Sequence, residues 1–211
     1  MMRGGMLLAS GRNWIQGASM VNDQGDFTFD ISNKLKVKAG DLLFVSVAAD
    51  DDANTPTSVT GWTLGQSQYG TTSGSAFWYK TAVGGDTFVF NAALSTDWKA
   101  ATAHAVVLRK GYTYNSSDES SGASGQPDAP SLLSFVAGDI SLIFGHAASL
   151  SVLTKPSGYT SLGTRAHTYT GLETSSDAAY KVSASGTENP AAWTGTISGD
   201  WTAYHIRVNK P

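Results

Sequence analysis

Three groups of residues in this chain are of types that could do chemistry. The first is the acidic loop Asp50-Asp51-Asp52-Ala53-Asn54, where Asp50, Asp52 and Asn54 place side-chain oxygens at alternate positions, as a calcium loop does. A calcium loop of that kind also needs glycine at its sixth position and a bidentate glutamate at its twelfth. Thr55 and Gly61 stand there instead. The loop is therefore expected to be a solvated one, with Ca²⁺ as its alternative occupant and no other cofactor implied.

The second group is the four histidines, His104, His146, His167 and His205. None belongs to a local metal-binding pattern such as H-E-x-x-H. His104 and His205 fall in the closing strand of two similar segments, so a structural role shared between those segments is expected. The third group is the nucleophile and carboxylate set. No G-x-S-x-G elbow occurs, and no phosphate loop or dinucleotide fingerprint is present. The only glutamates are Glu119, Glu173 and Glu188, a thin supply for the paired carboxylates of a glycosidase. The expectation is a protein without a catalytic site.

Aromatic side chains are the other candidates for recognition. Trp14, Trp62, Trp78, Trp98, Trp193 and Trp201 are many for a chain in which 15% of residues are charged. Exposed, such rings stack on sugars or anchor an interface. Buried, they fill a core. Trp62, Tyr159, Trp98 and Trp201 are expected to be structural, whereas Trp14 and Ile15 lie outside the repeated segments and are expected to contact a partner.

The elements that must position these residues are strands. Apolar residues make up 41% of the 211, enough to bury a core without staples, and no segment shows helical periodicity with caps. Phe27-Thr28-Phe29-Asp30-Ile31 alternates, and Leu42 to Ala49 is an apolar run of the kind buried on both faces. Further strands are expected at Ala76 to Thr81, Thr87 to Ala92, Ala103 to Arg109, Ile140 to His146, Ala178 to Val182 and Ala203 to Val208. The net charge is −3 and no cationic run could follow a phosphate backbone, so nucleic acid is not an expected partner. No stretch is long and apolar enough for a membrane helix, and the absence of cysteine fits assembly in a reducing cytoplasm.

The chain repeats itself. Ala39-Gly40-Asp41-Leu42-Leu43-Phe44 returns as Ala137-Gly138-Asp139-Ile140-Ser141-Leu142, and Gly61-Trp62-Thr63 returns as Gly158-Tyr159-Thr160. Tyr79-Lys80 returns as Tyr180-Lys181, and Asp97-Trp98-Lys99-Ala100 as Asp200-Trp201-Thr202-Ala203. The order is kept and the spacing stays near one hundred residues, which marks a tandem duplication. The expected organisation is an N-terminal arm (1–20), a first β-sandwich half (21–111), a Ser/Gly-rich connector (112–131) and a second half (132–211). Together these would form an all-β, sandwich or jelly-roll-like body of two homologous halves.

The repeated run resembles a family of β-sandwich virion proteins of tailed bacteriophages and prophages. The residues that carry the resemblance are Gly40-Asp41, Pro56, Gly61-Trp62-Thr63-Leu64, Tyr79-Lys80 and Trp98-Lys99-Ala100 in the first half. In the second they are Gly138-Asp139, Pro156, Gly158-Tyr159, Tyr180-Lys181-Val182, Gly186-Thr187 and Trp201-Thr202-Ala203. The resemblance implies a structural role in the virion, assembled in the host cytoplasm. A capsid decoration or cement protein that binds the major capsid protein or other virion proteins, and associates with itself, is the first expectation. A tail- or fibre-associated protein, or an adhesion module that binds a host glycan, is the alternative. The Asp50–Asn54 insert and the N-terminal arm have no counterpart in the family pattern.

Overall fold

The computed structural model describes residues 14–24, 27–32, 34–50, 59–69, 73–84, 89–92, 99–197 and 199–211. The described residues form strands and turns without a helix. Seven strands belong to the first half: β1 (Ile15–Gln24), β2 (Phe27–Asp30), β3 (Leu42–Asp50), β4 (Thr63–Tyr69), β5 (Ser73–Thr81), β6 (Val89–Ala92) and β7 (Lys99–Leu108). Seven belong to the second: β8 (Thr113–Gly122), β9 (Leu132–Phe135), β10 (Ile140–Ala147), β11 (Thr160–Tyr169), β12 (Leu172–Val182), β13 (Gly186–Glu188) and β14 (Trp201–Asn209).

The duplication extends to every strand. The first half builds a five-stranded antiparallel sheet in the order β1-β7-β3-β5-β4 and a two-stranded sheet β2-β6. Adding seven to each number reproduces the second half, β8-β14-β10-β12-β11 with β9-β13. Registers agree as well. Leu42 faces Leu108 across β3 and β7, and Ile140 faces Val208 across β10 and β14. Each half also shifts register at one place along its outer hairpin, between Leu64 and Gln66 in β4 and between Ser161 and Gly163 in β11.

This topology corrects two boundaries. Residues 1–20 were expected to form an arm, but Ile15–Gln24 is the edge strand of the first large sheet, hydrogen-bonded along β7. Residues 112–131 were expected to be a Ser/Gly-rich connector, but Thr113–Gly122 is the edge strand of the second, paired with β14. β8 is poor in apolar residues because an edge strand buries little side chain. Its fold comes from the ladder to its neighbour, and polar side chains on an edge discourage further pairing.

The two large sheets pack face to face. β1 lies against β11 and β4 against β8, so each edge strand of one sheet meets the outer hairpin strand of the other. The halves are thus related as the subunits of an isologous dimer are. Leu42, Phe44, Phe77, Val106 and Leu108 interdigitate with Ile140, Leu142, Phe144, Tyr204, Ile206 and Val208 between the sheets. Alternation along the same strands sends Leu43, Val45, Val47, Trp78 and Val107 to the opposite face, where Phe29 and Phe90 of the small sheet and Ile31 just after β2 cover them. Ile143, Ala179 and Ala203 do the same in the second half, under Trp193, Leu153 and Tyr159. All nine residues of β3 and all eight of β10 are buried, as a strand between two cores must be. At Gly17 the sheets approach so closely that a Cβ would stand 2.6 Å from the Leu162 carbonyl oxygen. Only glycine fits that contact.

Candidate functional site

Each half launches its central strand from an Ala-Gly-Asp turn. Gly40 (φ 87°) and Gly138 (φ 97°) take the left-handed conformation that glycine adopts without a steric penalty. The following aspartates are buried and satisfied in parallel ways. Asp41 accepts from the Lys38 and Lys110 backbone N–H groups (2.9 Å each) and from Arg109 Nη1 (2.7 Å). Asp139 accepts from the Val136 (2.9 Å) and Lys210 (3.3 Å) N–H groups and from Arg207 Nε (3.0 Å). Burial would raise the Asp139 carboxyl, but those N–H donors and the Arg207 charge together hold it below the usual range.

The inter-sheet layer changes character along its length. Beyond the apolar cluster it becomes a polar seam whose side-chain pairs join the two halves. His104 Nε2 lies 2.8 Å from Ser176 Oγ, and Ser46 Oγ lies 2.8 Å from His146 Nε2. Ser75 Oγ lies 2.5 Å from Thr202 Oγ1 and 2.7 Å from the Tyr204 hydroxyl. Burial pushes both His104 and His146 down to about 3, so the imidazoles are neutral. Arg165 adds to the depression of His104, and His104 to that of His146.

A Ser–His pair at hydrogen-bonding distance is half of a nucleophilic triad. Here the Nδ1 atoms of His104 and His146 have no partner among the described residues, so no carboxylate orients either ring. A base held near 3 is far from the range that serves at neutral pH, and Ser46 and Ser176 are fully buried. These pairs serve as ties between the sheets.

The other buried ionisable groups are also tied down. Asp177 accepts from Trp193 Nε1 (2.9 Å), Thr164 Oγ1 (2.7 Å) and Ser161 Oγ (3.3 Å), and burial outweighs those bonds to raise it to about 6. Glu188 accepts from Lys181 Nζ (2.8 Å) and Ser183 Oγ (2.6 Å). His205 sits between Ser141 Oγ (2.7 Å) and the Pro130 carbonyl (2.6 Å) and stacks on Phe135. The expected equivalence of His104 and His205 does not hold. Register makes Tyr204 the counterpart of His104, and alternation turns His205 to the opposite face.

Trp14 and Ile15, expected to contact a partner, are packed within the chain. Ile15 is buried between the sheets, and Trp14 is half-buried against Tyr112 (5.5 Å) and Tyr180 (5.6 Å). Trp62 is buried edge-on to Phe90, with Lys80 over its ring. Tyr159 is buried, its hydroxyl 2.7 Å from Ser141 Oγ, and burial pushes it up to about 12. Trp201 is half-buried across Gly122 and donates from Nε1 to the Ser124 carbonyl. Of the acidic loop, Asp50 is buried and accepts the Glu173 N–H at 2.7 Å, while Asp52 and Asn54 lie outside the described residues, as does Trp98. No group of three metal-ligating side chains occurs among the described residues.

One end of the stack gathers what remains open. There Tyr79 and Tyr114 stack at 4.1 Å beside the Trp14–Tyr112 pair, all four rings half-buried. The stems of Lys110 and Lys210 lie over Gly40 and Gly138, and the ring of Pro211 packs on Gly111. The Tyr112-Thr113-Tyr114 alternation is the sequence signal for β8 that its Ser-rich remainder obscures. No protein-family model matches this chain, and no curated protein matches it.

Proposed function

We propose that this chain is a non-catalytic structural protein of a bacteriophage virion, a capsid decoration or cement protein that works through its surface. The observation that carries this reading is the use to which its ionisable groups are put. Asp41, Asp139, Asp177 and Glu188, with His104, His146 and His205, each close a contact between strands or halves. A protein in which these buried ionisable side chains serve cohesion suits a role that demands rigidity. The partners are the major capsid protein or other virion proteins, and further copies of the chain.

The test is co-expression with the neighbouring structural genes followed by density-gradient purification of particles. Decoration predicts that the chain travels with capsids in a fixed ratio, and recovery with tails alone would move it to a tail or fibre position. A second reading, a glycan-binding adhesion module, draws on the half-buried rings of Trp14, Tyr112, Tyr79 and Tyr114. A glycan array scores it. Binding that Tyr79→Ala and Tyr112→Ala abolish, with no capsid association, would replace the first reading by the second.

A further inference from the structure

Among the described residues, the exposed lysines gather at one end of the sheets. Registers bring the Ala-Gly-Asp turns, the ends of β5, β7, β12 and β14 and the starts of β1 and β8 to one end. Lys36, Lys38, Lys110 and Lys210 are exposed at that end and pair with no carboxylate among the described residues, while Arg109 and Arg207 are held by Asp41 and Asp139. Exposed apolar side chains accompany them. Val83 is 64%, Val136 52% and Val182 40% accessible.

The opposite end has the reverse character. Asp23 is exposed there and Glu173 partly so, whereas Asp50 and Asp200 are buried behind them, with Lys99 across the ladder from Asp50. Asp23 is largely exposed and pairs with His167 at 3.0 Å. The Leu150 N–H donates to Glu173 Oε2, and Leu150 and Val152 are exposed beside it, at 43% and 62%. Among the described residues, five of the six exposed large hydrophobic side chains therefore sit at the two ends, Leu133 of β9 being the sixth. Apolar surface ringed by charge is the composition of an interface. The flanks are less suited to self-pairing, because two β8 edges laid antiparallel would bring Asp118 and Glu119 of one copy against those of the other.

We propose that copies of this chain associate end to end, the basic end of one seated on the acidic end of the next. Opposite charge sets the orientation, and the valines of one end meet Leu150 and Val152 of the other. Such a contact is heterologous, so repetition builds an open string or closes into a ring. The inference concerns contacts between copies and does not rest on a capsid or tail location.

Sedimentation velocity on the full chain tests it. The wild-type chain is expected to form dimers and larger species as concentration rises to about 100 μM. Raising salt from about 50 to 500 mM should weaken that association tenfold or more. Lys110→Glu with Lys210→Glu should abolish it, as should Asp23→Lys with Glu173→Lys, and an equimolar mixture of the two variants should associate again. Lys36→Glu with Lys38→Glu alters the same basic end from a loop and serves if the first variant fails to fold. A wild-type chain that stays monomeric throughout, or association that ignores both salt and the reversals, would overturn the proposal.

Discussion

The indole of Trp14 stacks on the ring of Tyr112 at 5.5 Å, and each residue immediately precedes the first strand of its own half. Equivalent points of the two repeats therefore touch across the junction. Trp14 also meets Tyr180 edge-on, so one side chain bridges β1, the start of β8 and β12. Replacing it by alanine removes both ring contacts and opens the end of the inter-sheet core. Trp14→Ala is expected to cost about 2 kcal/mol, below the range for a fully buried tryptophan because the ring is half-exposed. Urea titration measures this, and an unchanged midpoint would restore the view of this segment as a free arm.

Acid should loosen the seam, and the sign follows from which state binds protons. His104 and His146 stay neutral in the fold down to about 3, whereas in the unfolded chain they protonate near 6.5. Between those values the unfolded state binds more protons, so stability falls with pH by about 1.4 kcal/mol per unit for each histidine. Asp177, raised to about 6, acts oppositely: the fold takes up its proton first, and acidification between about 6 and 3.8 stabilises by a similar slope. For these three groups together the loss over that window is about one proton's worth, about 1.4 kcal/mol per pH unit. His205, Asp139 and Glu188, all held low in the fold, act in the same direction, and Glu119, held high, opposes them. Denaturant unfolding at pH 7, 6, 5 and 4 reads the slope directly. A flat profile would show that the imidazoles do not carry the seam.

The repeated aspartates should fail alike. Asp41→Ala and Asp139→Ala each strand a partly buried arginine and the backbone N–H groups of a turn. Each is expected to destabilise by about 3 kcal/mol, the cost of breaking such a pair from one side. Thermal melts of the two variants compared side by side test the equivalence of the halves, and a large effect from one alone would break it.

Gly17 tests the closeness of the sheets. A Cβ there would collide with Leu162, 2.6 Å from its carbonyl oxygen and 2.8 Å from its Cβ. Gly17→Val would force β1 away from β11 and is expected to cost about 2 kcal/mol. The same substitution at Gly84, where a Cβ meets nothing within 4 Å and the backbone is not left-handed, carries no crowding and is expected to cost little. Equal losses at both sites would mean that packing against Leu162 is not what limits Gly17.

Calcium should leave the fold unchanged. Asp50 is buried and its Oδ2 accepts the Glu173 N–H, so the first carboxylate of the acidic loop is already engaged within the fold. No rise in melting temperature is expected in millimolar Ca²⁺, and a rise would return the loop to the list of metal sites.

That Leu42 to Ala49 is buried on both faces was legible in the sequence, because the run is apolar without alternation, whereas Ile140 to His146 was legible as a strand and its burial on both faces was not. The duplication was legible because turns and strand starts are specified locally, by Gly40 and Gly138 and by the aspartates after them. β1 and β8 were not. An edge strand draws its order from hydrogen bonds to a neighbour distant in sequence, and the Ser-rich run from Asn115 to Gly122 carries no apolar signal of that pairing. The histidines show the same division. Sequence alone placed His104 and His205 in matching strands, but a one-residue offset between the halves turns one inward and the other outward. Local chemistry thus determined which segments are strands and that they recur. Which face each side chain presents, and that the halves join through a seam of Ser–His pairs, depend on register and on sheet-to-sheet packing, which exist only once the chain is folded.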